Sequence, residues 1–133
     1  MKVILGSGSP RRKELLSEIV DRFEIIPSNF DESKIKNIEK DPTKLVETLS
    51  KLKGEEVYSR IKNEKEFILI SSDTMVFCDK KLLGKPKNEK EAFEMLTLIQ
   101  NNVHTVYTGL YMAIKKRREG KKNSNIIQFR CIF

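Results

Sequence analysis

The run FILI at residues 67–70 constrains the fold most, because four consecutive apolar residues that stop at Ser71-Ser72-Asp73 suit a strand buried on both faces. Such a strand belongs to a layered α/β sheet. Around it, residues 2–5 (KVIL) form a short apolar run broken at Gly6-Ser7-Gly8-Ser9-Pro10, after which Leu15, Leu16, Ile19 and Val20 share one helical face. Residues 23–26 read as a second short strand, ended by Pro27 and followed by the polar stretch SNFDESK. Pro42 and Thr43 open a long helix to about Ile61, with Leu45, Val46, Leu49, Leu52 and Val57 on one stripe.

Residues 74–77 and 81–83 suggest two strands around Cys78-Asp79-Lys80. Asn88 with Glu91 three residues later marks a helix start, and Ala92, Met95, Leu96 and Ile99 supply its apolar face. Residues 103–114 alternate, with Val106, Leu110, Met112 and Ile114 on one face, and a last strand near residues 126–131 pairs with them as a hairpin. The expected fold is α/β, with a mixed sheet flanked by helices.

A length of 133 residues fits one domain. Cys78 and Cys131 are far apart and lack a CxxC or Cys/His context, which argues against a disulfide framework or a structural zinc site. No apolar run reaches the length of a membrane span or a signal segment, so a soluble, cytoplasmic protein is expected. Of the net charge of +7, +6 lies in residues 115–133, where seven Lys/Arg stand against Glu119. That basic turn has no interleaved aromatics and reads as a solvated hairpin tip, so nucleic-acid binding is not expected.

The first loop carries the most chemical information. Its glycines do not complete a dinucleotide fingerprint, since Arg11 stands at the third glycine position, and no Gly-Lys-Ser/Thr follows for a P-loop. Instead Ser9-Pro10-Arg11-Arg12 opens a helix, where the dipole disfavours cations unless an anion is present. At 100° per residue Arg12 falls within the arc of Leu15, Leu16 and Ile19, away from open solvent. Free backbone N–H groups, a serine hydroxyl and two guanidiniums there make a phosphate cradle, or else a surface Arg pair.

On the long helix Lys53 falls inside the apolar stripe and Lys51 outside it; Lys53 is either a snorkelling lysine or a functional cation. Asp73 could hold a metal or activate water at a sheet edge, or cap a turn. Lys85, between Gly84 and Pro86, is a phosphate contact or a turn lysine. Asp31 and Glu32 could join Asp73 if the fold brings them together. His104 reads as structural.

Five ordered segments together resemble the Maf family of nucleoside triphosphate pyrophosphatases: ILGSGSPRRKELL, ETLSKLKGE, ISSDTMV, LLGKPKNEKEAFEML and HTVYTG. The resemblance implies a fold of the inosine triphosphate pyrophosphatase type, and cleavage between the α- and β-phosphates of a nucleotide to give a monophosphate and pyrophosphate. It implies phosphate binding by Ser7, Ser9, Arg11 and Arg12, charge neutralisation by Lys53 and Lys85, and a divalent cation, Mg²⁺ or Mn²⁺, with its attacking water at Glu32 and Asp73. SPRR with SDT resembles the branch associated with dTTP and UTP. Family members continue through a second-lobe segment, whereas this sequence ends at IIQFRCIF. A Maf-like domain over residues 1–133, incomplete at its C-terminus, is therefore expected, with an exposed sheet edge, homodimerisation or other self-association, and poor turnover. The alternative is a catalytically weak or inactive protein that binds nucleotides or a partner.

Overall fold

The computed structural model describes residues 1–36, 38–78, 81–83, 86–100 and 102–115, and residues 122–132 as backbone; of Lys81 too only the backbone is described. In chain order the elements are β1 (Lys2–Leu5), α1 (Pro10–Ser17), β2 (Glu24–Ile25), α2 (Ser33–Lys36), α3 (Pro42–Ile61), β3 (Phe67–Cys78), β4 (Lys81–Leu83), α4 (Glu89–Gln100), β5 (His104–Lys115) and β6 (Lys122–Ile132). The strands form one six-stranded sheet in the order β2-β1-β3-β5-β6, with β4 paired to β3. β1 runs parallel to β2 and β3, while β5 is antiparallel to β3 and β6, so the sheet is mixed as expected.

The twenty residues of α3 lie across β3 and β5. Pro42 fits the first helical turn because its missing N–H has no intrahelical partner there, and the Asp41 carboxylate accepts from the Thr43 N–H at 2.9 Å as the N-cap. The helix sits close to the sheet, and two glycines permit it. A Cβ at Gly54 would overlap the Tyr111 ring, and one at Gly109 would overlap the Val46 carbonyl.

β3 departs from the expectation in two ways. It does not stop at Ser71-Ser72-Asp73 but runs unbroken for 12 residues, paired along its whole length with β5, so Asp73 lies within the strand opposite Gly109. The turn-like composition of 71–74 is overridden by this tertiary pairing. Nor is the strand buried on both faces. Phe67, Leu69, Ser71, Asp73 and Met75 alternate onto the α3 side and are buried, whereas Ile68 and Ile70 on the other face are half-buried.

The same holds for β5. Gly109, Tyr111 and Ala113 are buried beneath α3, and the apolar set Leu110, Met112 and Ile114 lies on the half-exposed side. Ile19 and Val20 fall outside α1, which ends at Ser17, and Ile19 is 83% exposed. α4 begins as read, with the Glu91 N–H donating to Asn88 Oδ1 at 2.8 Å. Its apolar face is nevertheless not buried among the described residues, and Phe93 is 71% exposed. The basic turn at 116–121 lies outside the described residues. Among those described, no helix is long and apolar enough to cross a membrane.

Candidate active site

The interior beneath α3 is two apolar clusters separated by a polar seam. One cluster holds Ile4, Val57, Tyr58, Ile61, Phe67, Leu69, Tyr111 and Ala113. The other holds Leu45, Val46, Leu49 and Met75, backed by Phe30 and Ile35. Between them, Ser50 and Lys53 of α3 stand over Ser71 and Asp73 of β3, at positions whose periodicity would otherwise place apolar residues in the core. Burying a carboxylate there is costly unless a cation and hydrogen bonds compensate.

Lys53 provides that cation. Its Nζ donates to Asp73 Oδ1 at 2.8 Å and also bonds Glu32, which arrives from the loop before α2. The side chain of Lys53 is 15% exposed against 52% for Lys51, whose only ion pair among the described residues is with Glu55 of its own helix. The helical angles separated these two lysines correctly. Glu32 is held from both sides, because Lys36 donates to its Oε2 at 2.8 Å. Burial disfavours the Glu32 carboxylate, but the Lys36 and Lys53 ammoniums outweigh it and hold the group at about 2. Burial pushes the Asp73 carboxyl above its ordinary value against the pull of Lys53, and the negative Glu32 adds to the rise. Burial also opposes the Lys53 ammonium, yet the bonds to Asp73 and Glu32 raise its pKa. Asp73 Oδ2 is buried without a hydrogen-bond partner among the described residues.

The first loop reaches this cluster because β1 ends at Leu5. Gly6 N–H still donates to the Ile70 carbonyl at 2.8 Å, and among the described residues β3 has no strand paired on that side between Ser71 and Met75. Both faces of β3 are accessible from the gap, so Asp73 and its outward-facing neighbour Thr74 line the same cleft. Ser9 caps α1 by accepting from the Arg12 N–H, and Ser7 accepts from the Ser9 N–H and from the Arg12 guanidinium at 2.9 Å. The other guanidinium nitrogen lies 3.5 Å from the Thr74 hydroxyl. Burial lowers the Arg12 pKa, and among the described residues Arg12 forms no ion pair. Arg11 is not brought in: its side chain is 77% exposed and reaches Glu14 of its own helix at 3.7 Å. Alternation by 100° sends the two arginines to different faces.

The cleft encloses about 750 Å³, and its charged lining is Arg12, Lys36, Lys53 and Lys87 against Glu32, Asp73 and Glu91. Lys36, Thr74 and Lys87 were not singled out in the sequence. Glu32 and Lys36 are spaced i, i+4, which is a legible helical pair, but the segment reads as a polar loop because α2 is only four residues long. Asp31 stays apart, its carboxylate accepting from the Ser33 N–H and hydroxyl at the surface. Lys85 lies outside the described residues. His104 is part-buried at the start of β5, away from the cleft.

No group of three or more His, Cys, Asp or Glu side chains among the described residues could cage a metal ion. Two carboxylates, one carrying a buried unpartnered oxygen, suit a hard divalent ion that completes its shell with waters and phosphate oxygens.

The fold resembles that of the Ham1 protein of Staphylococcus aureus, with a TM-score of 0.55 at 12% identity, covering 99% of this chain and 70% of that one. In sequence, the chain is 52% identical to a dTTP/UTP pyrophosphatase of Clostridium perfringens over 83% of this chain and 56% of the relative. It is 41% identical to a dTTP/UTP pyrophosphatase of Clostridium acetobutylicum over 98% of this chain and 66% of the relative. The chain thus spans between about half and two thirds of these relatives' length. A family model described as Maf-like protein matches residues 2–132, and with the Ser9-Pro10-Arg11-Arg12 loop and the Lys53–Asp73 seam set in this sheet, the chain belongs to the Maf family.

Proposed function

We propose that the cleft binds a nucleoside triphosphate, with dTTP or UTP preferred, and hydrolyses its α–β phosphoanhydride to the monophosphate and pyrophosphate. The observation that carries this reading is Arg12: a half-buried guanidinium, oriented by the Ser7 and Thr74 hydroxyls, that forms no ion pair among the described residues. A cation so placed is best satisfied by an anion with several oxygens, and a phosphate chain provides one. The names of the relatives support the choice of pyrimidine triphosphates.

On this reading Ser7, Ser9 and Arg12 position the phosphates, with Arg11 and Lys85 adding positive charge. Lys53 spreads positive charge over the seam and stabilises the oxygens that gain charge as the anhydride breaks. Asp73, whose buried Oδ2 has no partner among the described residues, accepts the proton of the attacking water. Glu32 and Asp73 would hold a divalent cation, Mg²⁺ or Mn²⁺. Such an ion supplies charge neutralisation and a lowered pKa for bound water. The setting is the cytoplasm, where triphosphates are plentiful.

The test is a panel of nucleoside triphosphates, with product analysis at each. Faster release of pyrophosphate from dTTP and UTP than from 7-methyl-GTP is expected. Preference for 7-methyl-GTP would overturn the pyrimidine assignment. Tight binding without turnover would replace the enzyme by a nucleotide-binding protein.

A further inference from the structure

We propose that Lys36 is a substrate-contacting residue, which pairs with Glu32 and transfers to a phosphate oxygen when nucleotide and divalent cation enter. This rests on the reading of the cleft as a triphosphate site. α2 presents its two lysines differently. Lys34 is exposed and outside the cleft, whereas Lys36 lines it and bonds Glu32 Oε2 at 2.8 Å. The turn is fixed from beneath, since Ile35 packs on the second apolar cluster and the Ile35 and Lys36 N–H groups both donate to the Glu32 carbonyl at 3.1 Å. The Lys36 backbone is therefore fixed at the cleft wall, while its four-carbon stem lets the ammonium move.

The cluster is balanced: the ammoniums of Lys36 and Lys53 face the carboxylates of Glu32 and Asp73. Two single positive charges stand where one divalent ion would bind the same carboxylates. A divalent ion held by Glu32 and Asp73 would compensate the same charge, and the Lys36 ammonium would then be free to meet the phosphate chain. Lys36, the less buried of the two, has the freer path. Arg12, on α1, lines the same cleft, so both cations are available to the phosphates.

The experiment compares the wild type with Lys36→Met, Lys36→Arg and Lys34→Met, which removes one charge from the same helix outside the cleft. The first probe is Mn²⁺ alone, followed by the paramagnetic resonance of the free ion. The second is the non-hydrolysable α,β-methylene analogue of dTTP with Mn²⁺, followed by calorimetry. Lys36→Met should bind Mn²⁺ alone about two- to fivefold more tightly, the range expected when a part-exposed ion pair no longer competes. It should bind the analogue about ten- to a hundredfold more weakly, as loss of a charged hydrogen bond predicts. Lys36→Arg should restore analogue binding, and Lys34→Met should match the wild type with both probes. Unchanged analogue affinity in Lys36→Met, an equal loss in Lys34→Met, or unchanged Mn²⁺ affinity would overturn the proposal. Failure of the wild type to bind the analogue would instead overturn the triphosphate reading, and this inference with it.

Discussion

Replacing Lys53 by methionine tests the polar seam quantitatively. Methionine keeps much of the apolar stem but removes the ammonium that bonds both carboxylates. Glu32 keeps Lys36, but Asp73, 4% exposed, is left with no ion-pair partner among the described residues. In the folded protein Asp73 then escapes its unpaired charge by binding a proton. At 1.36 kcal/mol for each pH unit above the carboxyl's ordinary 3.8, that proton sets a ceiling of about 4 kcal/mol at pH 7. A loss of about 2–4 kcal/mol is therefore expected, in the range for breaking one side of a buried pair. The folded pKa of Asp73 in this variant lies above its unfolded value. The penalty is then full above the folded value and fades as the pH falls toward 3.8. At pH 5 the ceiling drops to about 1.6 kcal/mol. Urea unfolding of the wild type and Lys53→Met at pH 7 and pH 5 measures both quantities, and adding Asp73→Asn to Lys53→Met should recover most of the loss at pH 7. A loss below about 1 kcal/mol at pH 7, or the same loss at both pH values, would refute the reasoning.

Arg12→Ala should weaken binding of the α,β-methylene dTTP analogue by about 1.5–3 kcal/mol, the cost of a lost charged hydrogen bond, whereas Lys51→Ala on the outer face of α3 should leave it unchanged; calorimetry distinguishes them. Arg11→Ala should cost less than Arg12→Ala in the same titration, because its side chain faces solvent. Gly54→Ala should destabilise the protein by about 1–3 kcal/mol in urea, since the new methyl overlaps the Tyr111 ring and outweighs the helical preference for alanine.

The limits of α3 were legible because proline at the first turn and a sustained apolar stripe are both strong signals, and the same periodicity set Lys53 inward and Lys51 outward. The inward course of Arg12 followed from helix geometry as well. β3 was cut short because Ser71, Ser72, Asp73 and Thr74 have turn-like side chains, while their strand conformation comes from pairing with β5, 34–40 residues further on. Its alternation was legible in principle, since 67, 69, 71, 73 and 75 share one face and two of the five are polar. Such polar intrusions into a core-facing register mark a functional seam. Lys36 was missed because four residues of helix are too few for periodicity to register. The apolar face expected of α4 was read correctly as a pattern, whereas that of α1 was carried past the helix end at Ser17, and a pattern does not say what covers it. Leu15, Ile19, Phe93 and Leu96 stay exposed among the described residues.

The central claim is that Asp73, poised by Lys53 in the seam, activates water against a nucleoside triphosphate held by Arg12. The most direct measurement is product formation from dTTP with Mn²⁺ in ¹⁸O-labelled water, comparing the wild type with Asp73→Asn, which keeps the shape and removes the charge. The account predicts thymidine monophosphate and pyrophosphate as the products, with turnover reduced by about 10²-fold or more in Asp73→Asn, in line with loss of a general base. Thymidine diphosphate and phosphate as products, no turnover by the wild type, or undiminished turnover by Asp73→Asn would contradict it.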